Sequence, residues 1–165
     1  MAPTKAEVAD VLEMAADLYE AEQVKWCMGS WGFSQEDGTR TACASSALAL
    51  ACGLRQGHAA MLENVIETGM IAGIGLTEPE QLYLDVRKHV DEKLRWRLPR
   101  WNDLTRTEPR LNLGLIEFEI VDGAYRLKTS TKGAPVFTTE AIPVRTKADV
   151  IELFKSLAKD LRNEE

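Results

Sequence analysis

"LNLGLIEFEIVDGAYRLKTS", residues 111–130, decides the fold class. Asp122-Gly123 stands between two alternating runs. Before it, Leu115, Glu117 and Glu119 alternate with Ile116, Phe118 and Ile120; after it, Arg126 and Lys128 alternate with Tyr125 and Leu127. A period of two on either side of Asp-Gly predicts a β-hairpin with one polar face. "PVFTTEAIPV", 135–144, is a candidate third strand.

Outward from this segment the pattern is helical. Thr4 and Glu7 form a capping box, and Val8, Val11, Leu12, Ala15, Leu18 and Tyr19 follow at helical spacing, predicting a helix that ends near Gln23. Residues 28–41 read as a connection rich in Gly29, Gly32, Gly38, Ser30, Ser34, Gln35 and Asp37, with a short β-ribbon expected across Asp37-Gly38. A second helix is expected over 42–54. Its small residues (Ala44, Ser45, Ser46, Ala47, Ala49, Ala51) give it no polar face, so it reads as buried, with Gly53 as its C-cap. A third covers 57–68 with Ala60, Met61, Val65 and Ile66 inward. A loop carries Gly69, Gly73 and Gly75. A fourth helix follows, capped by Thr77 and Glu80, with Pro79 in its first turn and Leu82, Val86, Val90 and Leu94 toward the core. Thr146 and Asp149 open the last helix, striped by Val150, Phe154, Leu157 and Leu161. The expectation is an α+β chain: one compact domain whose helical core is 1–107 and 145–165, with a β-hairpin or small antiparallel sheet inserted at 108–144 before the C-terminal helix.

Bulk properties bound the function. The 165 residues are 45% apolar and 28% charged, a globular composition. A net charge of −6 argues against binding nucleic acid or anionic membrane over the whole surface. Three cysteines, an odd number in a chain able to build its own core, read as reduced cytosolic thiols. Residues 1–13 are acidic where a secretory leader needs an apolar run, and no stretch approaches the ~18 apolar residues of a membrane span. The expectation is a soluble, cytoplasmic protein.

Three constellations could carry chemistry. Cys43 stands near a helix start, where free N–H groups lower a thiol pKa. A nucleophile there needs His58 or His89 as base, with Asn102 or Asp103 to orient it. The competing reading is a small buried hydrophobe, and it is preferred. Cys27, Cys43, Cys52 and His58 match a Cys₃His set in number but lack knuckle spacing, so no metal is expected. "KLRWRLPRW", 93–101, interleaves Lys93, Arg95, Arg97 and Arg100 with Trp96 and Trp101, as single-strand nucleic-acid binders do. Against that, cations favour helix C-termini and arginine stems cover apolar surface while tryptophans pack inward. Trp101-Asn102-Asp103 reads as a turn closed on its own backbone and anchored by the indole, with Trp26 as a second anchor. The loop 69–75 lacks the lysine of a P-loop, and no 20-to-50-residue repeat is present.

Four blocks occur in order: Trp26-Cys27-Met28-Gly29, Cys43-Ala44-Ser45-Ser46-Ala47-Leu48, Trp101-Asn102-Asp103, and Arg145-Thr146 opening the last helix. Their order resembles a domain-of-unknown-function family common in actinobacteria and their phages, which carries W-C-x-G, C-A-x-x-A-L, W-N-D and an R-T step. In that family the R-T step follows W-N-D directly, where Arg106-Thr107 stands here. The resemblance therefore implies that 108–144 are an insertion, and that the chain is of phage or actinobacterial origin. It implies no chemistry. The expected function is a small accessory protein that binds another protein and carries no cofactor, its partner and oligomeric state being open. The alternatives are a cysteine-dependent hydrolase or transferase centred on Cys43, and a nucleic-acid-associated protein using 93–101.

Overall fold

The computed structural model describes residues 2–34, 36–69, 75–112, 118–127 and 136–164. The fold is α+β, and the chain divides into two compact units, 1–104 with 145–165, and 105–144.

The first unit is built on helices. α1 (Lys5–Glu20) and α6 (Lys147–Asn163) both carry the capping boxes expected from Thr4/Glu7 and Thr146/Asp149. They pack along each other. Val8, Leu12, Ala15 and Tyr19 of α1 share one apolar cluster with Val150, Phe154, Leu157 and Leu161 of α6. Arg162 ties the far side of the pair, donating to Glu13 at 2.7 Å and Asp10 at 2.6 Å. α1 ends three residues before Gln23, because Glu22 takes a left-handed conformation (φ 56°) and turns the chain. A short parallel pair follows, β1 (Lys25–Trp26) with β2 (Thr41–Ala42). The expected ribbon across Asp37-Gly38 is reduced to a single antiparallel bridge, Ser34 to Arg40. Gly32 lies in this connection with φ 101°, and a Cβ there would run into the Thr41 carbonyl, so no other residue fits.

α2 (Ala44–Ala51) is shorter than the predicted 42–54 but as buried as its composition requires. Residues 44–49 are all inaccessible, and their small side chains let neighbouring helices approach closely. Gly53, φ 84°, follows the cap residue Cys52. α3 (His58–Thr68) is rotated from its expected phase. Ala59, Leu62 and Glu63 are inward, Met61 is exposed, and Ala60, Val65 and Ile66 are only partly covered. The reason is Glu63, a charge that helical periodicity alone assigns to solvent. Loop residues 70–74 lie outside the described residues. α4 (Glu78–Leu94) has the Thr77/Glu80 box and Pro79 in its first turn. Val86 and Val90 are buried as expected; Leu82 and Leu94 are partly covered. α5 (Leu98–Asn102) is a short helix that local sequence pattern does not announce. No helix among the described residues is long and apolar enough to cross a membrane.

The second unit is antiparallel. β4 (Phe118–Val121) and β5 (Ala124–Leu127) form the expected hairpin. Asp122 (φ 52°) and Gly123 (φ 80°) make the two-residue turn with both φ positive that matches strand twist. Ile120, on the face read as apolar, is 68% exposed. The outer parts of both predicted runs, 113–117 and 128–130, lie outside the described residues. The third strand exists as β6 (Val136–Pro143), but it does not extend the hairpin. It pairs with β3 (Thr105–Asn112) from Thr105↔Pro143 to Asn112↔Val136. Arg106-Thr107 thus lies in a strand, not at a helix start.

Candidate functional site

The four sequence blocks meet at one place, and Asn102 is its centre. The parallel pair β1–β2 is closed by Lys25 N–H to Arg40 C=O (2.8 Å) and Cys27 N–H to Ala42 C=O (3.3 Å). A parallel ladder would continue with Ala44 N–H donating to Cys27 C=O. The Asn102 carboxamide is inserted there instead. Ala44 N–H donates to its Oδ1 at 3.0 Å, and its Nδ2–H donates to Cys27 C=O at 3.1 Å. Oδ1 also accepts the Trp26 indole N–H at 2.7 Å, and Nδ2 donates to Asp103 Oδ1 at 2.8 Å. That carboxylate accepts Gly29 N–H at 2.9 Å. Asn102 is 1% exposed. Two acceptor and two donor positions are all used, a set that asparagine offers and aspartate does not. The expected turn closed on its own backbone is therefore corrected. Asn102 ends α5 and bonds across the chain, because burial leaves the strand carbonyl and the α2 N–H with no water to satisfy them. Trp101 is buried beside it, and the Arg145 guanidinium stacks 4.5 Å from its ring centroid. Trp26 is only partly covered.

Cys43 is the N-cap residue of α2. It is buried, and its thiol donates to Ser46 Oγ at 3.5 Å. Burial raises its pKa, the Ser46 and Ser45 bonds offsetting only part of this. Burial likewise raises Cys27 and pushes Cys52 up to about 12. A cleft of about 140 Å³ lined by Gly29, Ser30, Trp31, Cys43, Pro99 and Asp103 adjoins the thiol. The structure brings Cys43, Asn102 and Asp103 together, but neither histidine hydrogen-bonds to the thiol. His58 opens α3, its Nδ1 without a partner among the described residues. His89 lies on α4, and its pKa is lowered by burial and by Lys93. Asn102 and Asp103 are committed to the strand clasp rather than to an imidazole. Among the described residues no group of three or more His, Cys, Asp or Glu is placed to hold a metal.

A second locus is the α4–α5 reversal. Arg87 is fully buried and donates to Glu63 (2.6 Å), Tyr83 Oη (2.9 Å) and Asp91 (3.2 Å). Asp91 also accepts Leu98 N–H at 2.9 Å, so the buried network pins the start of α5. Between the helices Arg95 adopts φ 58°, and Arg97 reaches Glu67 at 3.1 Å and Glu63 at 3.8 Å. The result is a hollow of about 490 Å³ lined by Glu67, Arg95, Trp96, Arg97 and Arg100. Trp96 is 49% exposed, so the inward packing expected of both tryptophans holds at Trp101 and fails at Trp96. Lys93 is exposed on the last turn of α4 and does not line the hollow.

Compared with known proteins, the chain matches no family model, no curated protein and no solved structure. Arg87 and Glu63 are not foreseen from sequence. The Tyr83, Arg87, Asp91 spacing of four is visible there, but such a row ordinarily marks a solvated helix face.

Proposed function

We propose that this chain is a small phage-encoded accessory protein, working in the bacterial cytoplasm, that binds another protein through the strands of 105–144. The observation that carries the reading is the state of its sheets. β3–β6 and β4–β5 are each two-stranded, with no third strand on either sheet among the described residues. Two-stranded sheets are marginal in water, and an open edge accepts a strand from a partner through main-chain hydrogen bonds. Ile120 and Val121 stand exposed beside the hairpin turn and offer apolar contact. The raised thiol of Cys43 supports a binding role over a nucleophilic one, because the thiolate is the reactive form. The resemblance to the actinobacterial and phage family supports the origin.

The test is site-specific photo-crosslinking in host cells. A crosslinking residue at Thr107 or Ile120 should give one discrete protein adduct, and one at the exposed Met14 of α1 none. Adducts from Met14 alone, or from no position, reject the strand surface as the binding site.

A further inference from the structure

We infer that the hollow between α4 and α5 binds single-stranded nucleic acid, with one base stacked on the Trp96 indole and its flanking phosphates held by Arg95 and Arg100. The charge balance of the hollow is the first reason. Three guanidiniums line it with one carboxylate, Glu67, which Arg97 already engages at 3.1 Å; Glu63, 3.8 Å from Arg97, is held by the buried Arg87. Arg95 and Arg100 are exposed and make no hydrogen bond or ion pair among the described residues. Two uncommitted guanidiniums on a chain of net charge −6 form a local anion site in a surface that otherwise repels anions.

Shape is the second reason. About 490 Å³ falls within the roughly 300–1,000 Å³ of small-ligand sites. An indole half in solvent beside arginines offers a planar platform, which a phosphate or an acidic side chain does not need and a base does. The third reason is the backbone. Arg95 occupies the left-handed region at the C-cap of α4, where glycine or asparagine costs less. Such strain persists where the surroundings fix it. Here Asp91 bonds Arg87 on one side and Leu98 N–H on the other, closing the reversal that carries Arg95. The locus belongs to the helical unit and does not depend on the strand surface proposed above.

The experiment is fluorescence anisotropy of a labelled short oligothymidylate titrated with the whole protein at low salt. Binding should be measurable, and a duplex of equal length should bind more weakly. Trp96→Ala should weaken binding by roughly fivefold or more, the lower range for one stacked base. Arg95→Gln with Arg100→Gln should flatten the slope of log affinity against log salt by about 1.4, near 0.7 for each phosphate left without its arginine. All three residues are exposed, so melting curves should match the parent and separate binding from folding. Absence of binding by the parent, or equal affinity in the Trp96→Ala protein, overturns the proposal. So does oligoglutamate displacing the probe as well as unlabelled oligothymidylate does, which identifies a bare anion site.

Discussion

Replacing Asn102 by alanine isolates the clasp. The carboxamide satisfies Trp26 Nε1–H, Ala44 N–H and Cys27 C=O, and donates to Asp103. Asp103 keeps Gly29 N–H after the truncation, so three groups are left without a partner at a side chain 1% exposed. An unsatisfied buried polar group costs about 1–3 kcal/mol. Trp26 is only partly covered and can recruit water, so the low end applies to it. The total is about 3–5 kcal/mol, a large share of the ~5–15 kcal/mol that holds a domain together. For a chain of 165 residues this lowers Tm by on the order of 10 °C. Urea unfolding followed by circular dichroism gives the free energy directly. Trp26→Phe keeps an aromatic ring and removes the N–H, costing about 1 kcal/mol for the bond. The double variant should fall short of the sum by about that amount, because both changes delete the same bond. A loss under about 1 kcal/mol in Asn102→Ala, with an unchanged urea slope, would falsify the clasp.

Arg87→Ala strands Glu63 and Asp91 beside an apolar core and should cost about 3–5 kcal/mol by the same assay; a small effect means water reaches the network. The three thiols should all alkylate more slowly than free cysteine at neutral pH, with Cys27, the least covered, first; fast labelling of Cys43 by mass spectrometry revives the enzyme reading. His89 is held below its usual value of 6.5, by burial first and Lys93 second, against smaller pulls from Glu164, Glu92 and Asp160. Its folded pKa lies below the unfolded one, so its contribution is whole above about pH 6.5 and is lost as pH falls through the folded value. His89→Gln should flatten the fall in stability over that window, and parallel pH curves for the two proteins contradict the assignment. Thr105 and Pro143 are register partners, so the strand segment begins and ends at neighbouring points. A Gly/Ser linker in place of 106–142 should leave a cooperative, helix-rich fold, since closing a short loop costs little. A broad, non-cooperative melt of the deletion protein indicates that the helices need the strands.

The capping boxes at Thr4, Thr77 and Thr146, the stripe of α6 and the Asp122-Gly123 turn are legible in sequence, because each is decided within a few residues of chain. So is the burial of α2, since a run of alanines and serines has no polar face to offer water. The features that tertiary structure alone decides join distant positions. Arg87 and Glu63 are inward because each neutralises the other, 24 residues away, so a charge that periodicity sends to solvent is held inside. β6 passes over the adjacent hairpin to pair with β3, a register that no local signal sets. Asn102 has the look of a turn former, and its residue type is the right clue. What sequence does not supply is the gap between Cys27 and Ala44, 75 and 58 residues away, whose unpaired carbonyl and amide only a carboxamide can bridge.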